Sequence, residues 1–202
     1  MNRKLAQFIS VVFHPVLMPT YALLFLFRPN SFFSYTVPDL SRLALYTIII
    51  LNTLLFPVLV SYMLIRRGWI KSFEMEKREE RLFPFIANFL LMLVASFMIY
   101  KLRLPRVFYL LTLGAAASVL VAVFVNFKWK ISIHMIGIGG LVGTFFGLST
   151  FLLVDLRIPI IFSLLVAGVI GTARISLGVH NPSQIYSGFI VGFICEYILL
   201  SI

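Results

Sequence analysis

Acidic residues are scarce in this chain, with 7 Asp and Glu among 202 residues against 17 Lys and Arg. Charged residues of both signs make up 12% of the composition, where a soluble globular domain carries about a quarter. That shortage excludes a water-soluble particle, because a 23.0 kDa domain must cover its unavoidable surface with polar groups. The single cysteine, Cys195, excludes an internal disulfide and says nothing about redox compartment; its apolar neighbours assign it to packing. No small-residue cleavage site follows Arg3 and Lys4, and the apolar run beginning there continues to about Phe27. The N-terminal segment therefore reads as retained rather than as a signal peptide. The longest polar stretch, Arg66 to Arg81, is too short for a separate domain.

What the chain has in excess is apolar surface. Residues of the AVILMFWYC set make up 61%, 21 of them Phe, and the mean hydropathy is +1.04. The expected fold class is all-α, a polytopic transmembrane helix bundle, with residues 1–202 forming one integral membrane domain. Runs of roughly 20 apolar residues are needed per span. They fall at about 8–27, 43–65, 85–100, 107–127, 133–154, 158–173 and 185–202. Pro15 and Pro19 break the first run, so six segments are firm and the first is an extra bent or re-entrant element. Glycines at Gly139, Gly143 and Gly147, at Gly168 and Gly171, and at Gly188 and Gly192 mark close helix approach. Gly137-Ile-Gly-Gly140 lacks the Gly-Lys-Ser/Thr ending of a nucleotide loop.

The net charge of +10 does not call for nucleic acid, since basic residues at span ends meet lipid head groups. If all seven segments cross, the N-terminus and loops 66–84, 128–132 and 174–184 share one side. That side holds eleven Lys and Arg, against six on the other, which by the positive-inside rule makes it cytoplasmic. If the first segment is re-entrant, the count becomes nine against eight. Three loops share a face in either case.

Two of the three histidines lie on that face. His134 follows Ser132 just after Lys128-Trp-Lys130, and His180 stands six residues after Arg174. A third polar cluster, Glu74 to Arg81, ends in Phe83-Pro84. Two imidazoles among several guanidinium and ammonium groups are equipment for phosphoryl transfer. One ring serves as nucleophile, the other as general acid, and the cations neutralise the phosphoryl oxygens. No carboxylate pair or Cys/His cluster points to a metal, so no cofactor or metal is expected.

Arg174-Ile-Ser-Leu-Gly-Val-His180 resembles the third motif, Ser-Arg-x5-His-x3-Asp, of the type 2 phosphatidic acid phosphatase (PAP2) superfamily. Ser132-Ile-His134 is similar to its second motif, Pro-Ser-Gly-His. Lys77-x3-Arg81 before Pro84 resembles a shortened first motif, Lys-x6-Arg-Pro. The likeness covers residues 66–200 and implies a core of six helices. It also implies His180 as nucleophile, His134 as the acid that protonates the leaving lipid alkoxide, and Arg174, Arg81 and Lys77 on phosphate oxygens, with Ser132 helping to position them. The implied partner is a phosphorylated lipid: phosphatidate, phosphatidylglycerophosphate, an isoprenyl diphosphate or a lipid A phosphate. The implied location is a bacterial inner membrane with the site on the periplasmic side, against the lean of the charge count.

Departures from the motifs open a rival reading. The motif Asp is Gln184, Ala173 replaces the motif Ser, and Glu74 stands where the first-motif Lys falls. A Gln carbonyl can orient the His180 ring but brings no charge. The alternative is thus a catalytically attenuated or inactive relative that binds, senses or transports an anionic lipid. Plainer roles also compete residue by residue. Asn181-Pro182-Ser183-Gln184 reads as a helix start with Gln184 in a capping box. Arg174 suits a snorkelling span end, Ser132 a helix cap, and the Lys77 region a solvated helix face. His14, beside Pro15, reads as a local hydrogen-bonding group in a kinked segment. Glu196 lies inside the last apolar run, where carboxylates are costly and often functional, yet close to a span end.

Overall fold

A computed structural model of the chain describes residues 1–201 apart from Glu74 and Glu76. The described residues are mostly helical and contain no strand. Seven segments are long and apolar enough to cross a membrane: Arg3–Leu26, Asp39–Arg66, Arg78–Lys101, Arg106–Asn126, Ile133–Phe151, Arg157–Ser176 and Pro182–Ser201. The protein is an all-α integral membrane bundle, and every apolar run of the sequence becomes one of its segments.

The first two segments, whose prolines fall inside the span, are irregular for identifiable reasons. In the first, α1 (Arg3–Val12) stops before His14, whose Nδ1 accepts the Val16 N–H and caps a short 3₁₀ turn at Pro15–Leu17. α2 (Met18–Leu26) then resumes with Pro19 in its first turn, where a missing N–H costs nothing. The element is bent, as its prolines predict. A short helix, α3 (Phe32–Thr36), is closed by a reciprocal Ser31–Ser34 capping box. In the second segment, α4 (Asp39–Ile49) passes through a π-helical turn at Ile50–Leu55 into α5 (Phe56–Arg66). Pro57 has no N–H for the Thr53 carbonyl and its ring crowds that group, so the local register shifts. The widened turn places the buried Asn52 and Thr53 inside the bundle, and the Thr53 hydroxyl donates to the Val16 carbonyl at 3.3 Å.

The remaining spans are α6 (Leu82–Lys101), α7 (Arg106–Asn126), α8 (Ile133–Phe151), α9 (Arg157–Ser176) and α10 (Pro182–Ser201). α8 is the axis of the fold: 67% of its apolar window is buried, against 28–39% in the other segments. Its partner is α10, and glycines on both helices set their separation. A Cβ on Gly139 would collide with the Phe189 carbonyl, and one on Gly143 with the Phe193 carbonyl. From the other side, Gly192 lies against the Ile136 carbonyl, and a Cβ on Gly188 would stand 2.6 Å from the Ser132 carbonyl. Two backbones in contact gain dispersion and weak C–H···O interactions that bulkier residues prevent. The glycine spacing is therefore packing, as read from the sequence, with one exception: Gly168 on α9 faces open space.

That contrast is measurable. Gly192→Ala should destabilise the detergent-solubilised protein by about 1–3 kcal/mol through overpacking. Gly168→Ala should be neutral or stabilising by about 0.5–1 kcal/mol, as expected for a helix interior. Thermal unfolding followed by circular dichroism compares the two, and equal effects would mean that the α8–α10 contact is not the tight one.

Candidate active site

Three loops converge at one end of the bundle, and backbone carbonyls are their tie points. Arg81 is 3% exposed and donates from Nε to the Met75 carbonyl at 3.0 Å and from Nη1 to the Ile131 carbonyl at 3.3 Å. Arg78 reaches the Phe127 and Lys128 carbonyls, and the Asn126 amide returns a bond of 2.8 Å to the Arg78 carbonyl. The start of α6 is thereby stitched to the α7–α8 loop. The Ser132 N–H donates to the Gln184 carbonyl at 3.3 Å, which binds the same loop to the start of α10.

The Arg174–His180 spacing has a plain structural cause. Arg174 occupies the last turn of α9, and the chain reverses through Gly178 at φ 69°, a left-handed conformation that favours glycine. The Val179 N–H closes this turn on the Arg174 carbonyl. Five residues thus suffice to bring an arginine at one helix end beside a histidine at the start of the next.

Gln184 fulfils both roles that its position allowed. The Asn181 side chain accepts the Gln184 N–H at 3.0 Å, and Gln184 Oε1 accepts the Asn181 N–H at 3.3 Å, which is a complete capping box. The same Oε1 lies 2.9 Å from His180 Nδ1. A backbone N–H can only donate, so the shared atom is the amide oxygen, and Nδ1 must carry the proton. His180 is therefore held as the tautomer with a lone pair on Nε2. That nitrogen is buried and has no hydrogen-bond partner among the described residues.

His134 is oriented from the opposite direction. Its Nε2 lies 3.0 Å from the Ser10 carbonyl, which can only accept, so Nε2 carries the proton and Nδ1 is the uncommitted position. The Ser10 hydroxyl accepts from Arg174 Nη1 at 3.2 Å. His14 packs edge-on against the His134 ring at 5.3 Å. The N-terminal segment thus forms one wall of the site.

Arg81, Arg174, Ser132, His134, His180 and Gln184, named from the sequence, all lie at this end of the bundle. Ser132 is fully buried; its hydroxyl makes no cap bond and has no partner among the described residues. Lys77 is exposed at the start of a 3₁₀ turn, Arg78–Arg81, and Glu74 lies outside the described residues. The cation that joins the group is Lys130, an electrostatic neighbour of His180 along with Arg174 and Arg81. Sequence reasoning left Lys130 and Ser10 out of the site and gave His14 only a local role. The signals available were the position of Lys130 two residues before Ser132, and a histidine beside a proline inside an apolar run.

Burial is the main reason that the His180 pKa falls, to about 4. The bond to Gln184 opposes this, and the charges of Arg174, Arg81 and Lys130 add to it. His180 is accordingly neutral at neutral pH, the form in which Nε2 can attack. An unfolded imidazole of pKa 6.5 takes up a proton that the folded site refuses. Stability from this group should be intact above about pH 6.5 and decline as pH falls toward 4. Thermal melts across that window should show His180→Asn to be less acid-sensitive than wild type; equal sensitivity would mean that His180 is not held neutral. No protein-family model, no curated protein and no solved structure matches this chain.

Proposed function

We propose that the protein is a metal-independent lipid phosphatase that hydrolyses a lipid phosphate monoester or diphosphate through a phosphohistidine. The observation that carries this reading is the His180–Gln184 pair, which presents an unpartnered imidazole lone pair beside three cations at a membrane boundary. The likeness of Arg174-x5-His180, Ser132-x-His134 and Lys77-x3-Arg81 to the motifs of the type 2 phosphatidic acid phosphatase superfamily supports it as a resemblance.

In this reading the phosphoryl group sits among Arg81, Arg174 and Lys130, with the Ser132 hydroxyl as a further donor. His180 Nε2 attacks phosphorus and forms a P–N bond as the P–O bond to the lipid breaks. The alkoxide takes a proton from His134 Nδ1, which receives it from the phosphate monoanion as that group binds. Water then cleaves the P–N bond, passing a proton to His134 Nδ1 and from there to the departing inorganic phosphate or solvent, and the lone pair on Nε2 is restored. Gln184 keeps the nucleophile in the correct tautomer but adds no charge to stabilise its cation. An Asp in that position would do both.

That missing charge favours a second reading, a protein that binds, senses or transports an anionic lipid with little or no turnover. Phosphate release by the purified protein, without added metal, separates the two across phosphatidate, phosphatidylglycerophosphate, isoprenyl diphosphate and lipid A phosphate. We expect release that vanishes in His180→Ala and rises in Gln184→Asp, by up to about 10⁴-fold if the charge of the orienter is what catalysis lacks. No release from wild type, with phosphate-dependent lipid binding that survives His180→Ala, would establish the binding reading instead.

For the site face we propose the periplasmic side of a bacterial inner membrane. Arg81, Arg174 and Lys130 belong to the site, and setting them aside reduces the eleven-to-six charge imbalance to eight against six. Cysteine labelling tests this after Cys195 is replaced. A cysteine at Gly68 should label in intact cells and one at Leu104 only after permeabilisation; the reverse pattern would place the site in the cytoplasm.

A further inference from the structure

Below the site the bundle is not solid. A cavity of about 200 Å³ runs between the helices, with His14 and Arg81 at its upper end and Phe108 toward the lower. Its lining on α7 extends from Phe108 to Ala122, a rise of about 21 Å at 1.5 Å per residue. Most of the wall is apolar, as a pocket for a hydrocarbon chain requires. One feature of the wall does not suit a plain hydrocarbon.

Glu196 opens onto this cavity from α10 and is 5% exposed. Its Oε2 is buried with no hydrogen-bond partner, and no ion pair among the described residues involves it. The carboxyl is nonetheless housed in a made space. A Cβ on Gly114 of α7 would stand 2.5 Å from Oε2, a Cβ on Gly140 of α8 would touch its Cγ at 3.4 Å, and Thr144 is its side-chain neighbour. Glycines on two helices admit the group, so it is not a chance intrusion into the core. Across the same cavity wall, Asn88 of α6 has a buried Oδ1 that is also without a partner. Polar groups left unsatisfied at membrane depth are costly, and where they face a cavity they mark what it binds.

We propose that this cavity holds the chain of a bound lipid and that Glu196, with Asn88, recognises an uncharged hydroxyl carried on that chain. A hydroxyl can donate its one hydrogen to the Asn88 amide oxygen while accepting from a protonated Glu196 carboxyl, where an alkyl chain can do neither. The position along the chain follows from helix rise. Glu196 lies twelve residues beyond Gln184 on α10, and its neighbour Gly140 lies six beyond His134 on α8, about 18 Å and 9 Å respectively. The hydroxyl therefore belongs well down the chain from the phosphate, not in the head group. The orientation of the lipid, and only that, rests on the phosphate reading of the Arg81–Arg174 end.

The test measures binding rather than turnover. Hexadecyl phosphate is compared with monohydroxylated analogues bearing the hydroxyl near the head, at mid-chain or near the tail, using the purified full chain and native mass spectrometry. We expect one hydroxyl position to bind roughly three- to tenfold more tightly than the plain chain, the range of a neutral hydrogen bond. Glu196→Gln should retain the preference, whereas Glu196→Leu should abolish it. Gly114→Ala, which keeps the carboxyl but displaces it, should weaken it. Equal affinity for all chains in wild type, or a preference untouched by Glu196→Leu, overturns the proposal. Arg174→Ala separates the two readings. If it leaves binding of every phosphate lipid unchanged while the hydroxyl preference persists, the phosphate assignment fails and the chain site stands. If it weakens every phosphate lipid and no hydroxyl preference exists, the reverse holds.

Discussion

Backbone contact between α8 and α10 is the constraint on which the rest of the molecule depends. Within lipid no hydrophobic drive holds two helices together, so their association relies on how closely their backbones can approach. Gly139 and Gly143 on one helix and Gly188 and Gly192 on the other remove the side chains that would hold them apart. The same contact aligns their N-terminal ends, which brings the Ser132 N–H onto the Gln184 carbonyl. Site geometry is thus inherited from packing deeper in the bundle rather than built by the loops alone.

The two histidines illustrate how neutral partners can impose chemical asymmetry. Each ring is fixed by one oxygen acceptor, yet opposite nitrogens are engaged: Nδ1 on His180 and Nε2 on His134. The rings therefore expose different atoms, one a nucleophilic lone pair and the other a position that must gain a proton before it can give one. Around them the described cations gather without a carboxylate in direct contact with either ring. Such a group has a net deficit of negative charge, which suits an anionic ligand over a neutral or cationic one. The surroundings discriminate by charge before any shape is tested.

Much of this was legible in the sequence, and the parts that were not have physical reasons. Apolar run length located every span, because 20 residues of hydrocarbon-soluble chain have few other uses. Arg174, His180, His134, Ser132, Arg81 and Gln184 could be named because their loops share one face and their order and spacing resemble known phosphatase motifs. The π-helical turn was missed, since one proline inside a span does not say whether the helix kinks, breaks or widens. Ser10 and His14 were missed because their partners lie 124 and 164 residues away in the case of Ser10, and no local pattern encodes so distant a pairing. Lys77 shows the opposite failure: a plausible spacing nominated it, but the 3₁₀ turn carries it outward and Lys130 stands near His180 in its place.

The docking of the N-terminal segment also bears on biosynthesis. Ser10 leaves the ribosome well before the groups it holds, since His134 and Arg174 lie 124 and 164 residues further along the chain. Until α8 is in the membrane the first segment has neither of these hydrogen-bonding partners, and until α9 follows it has only His134. The site then closes from an early segment onto later ones, so a nascent protein carries no assembled pocket until α9 has been inserted.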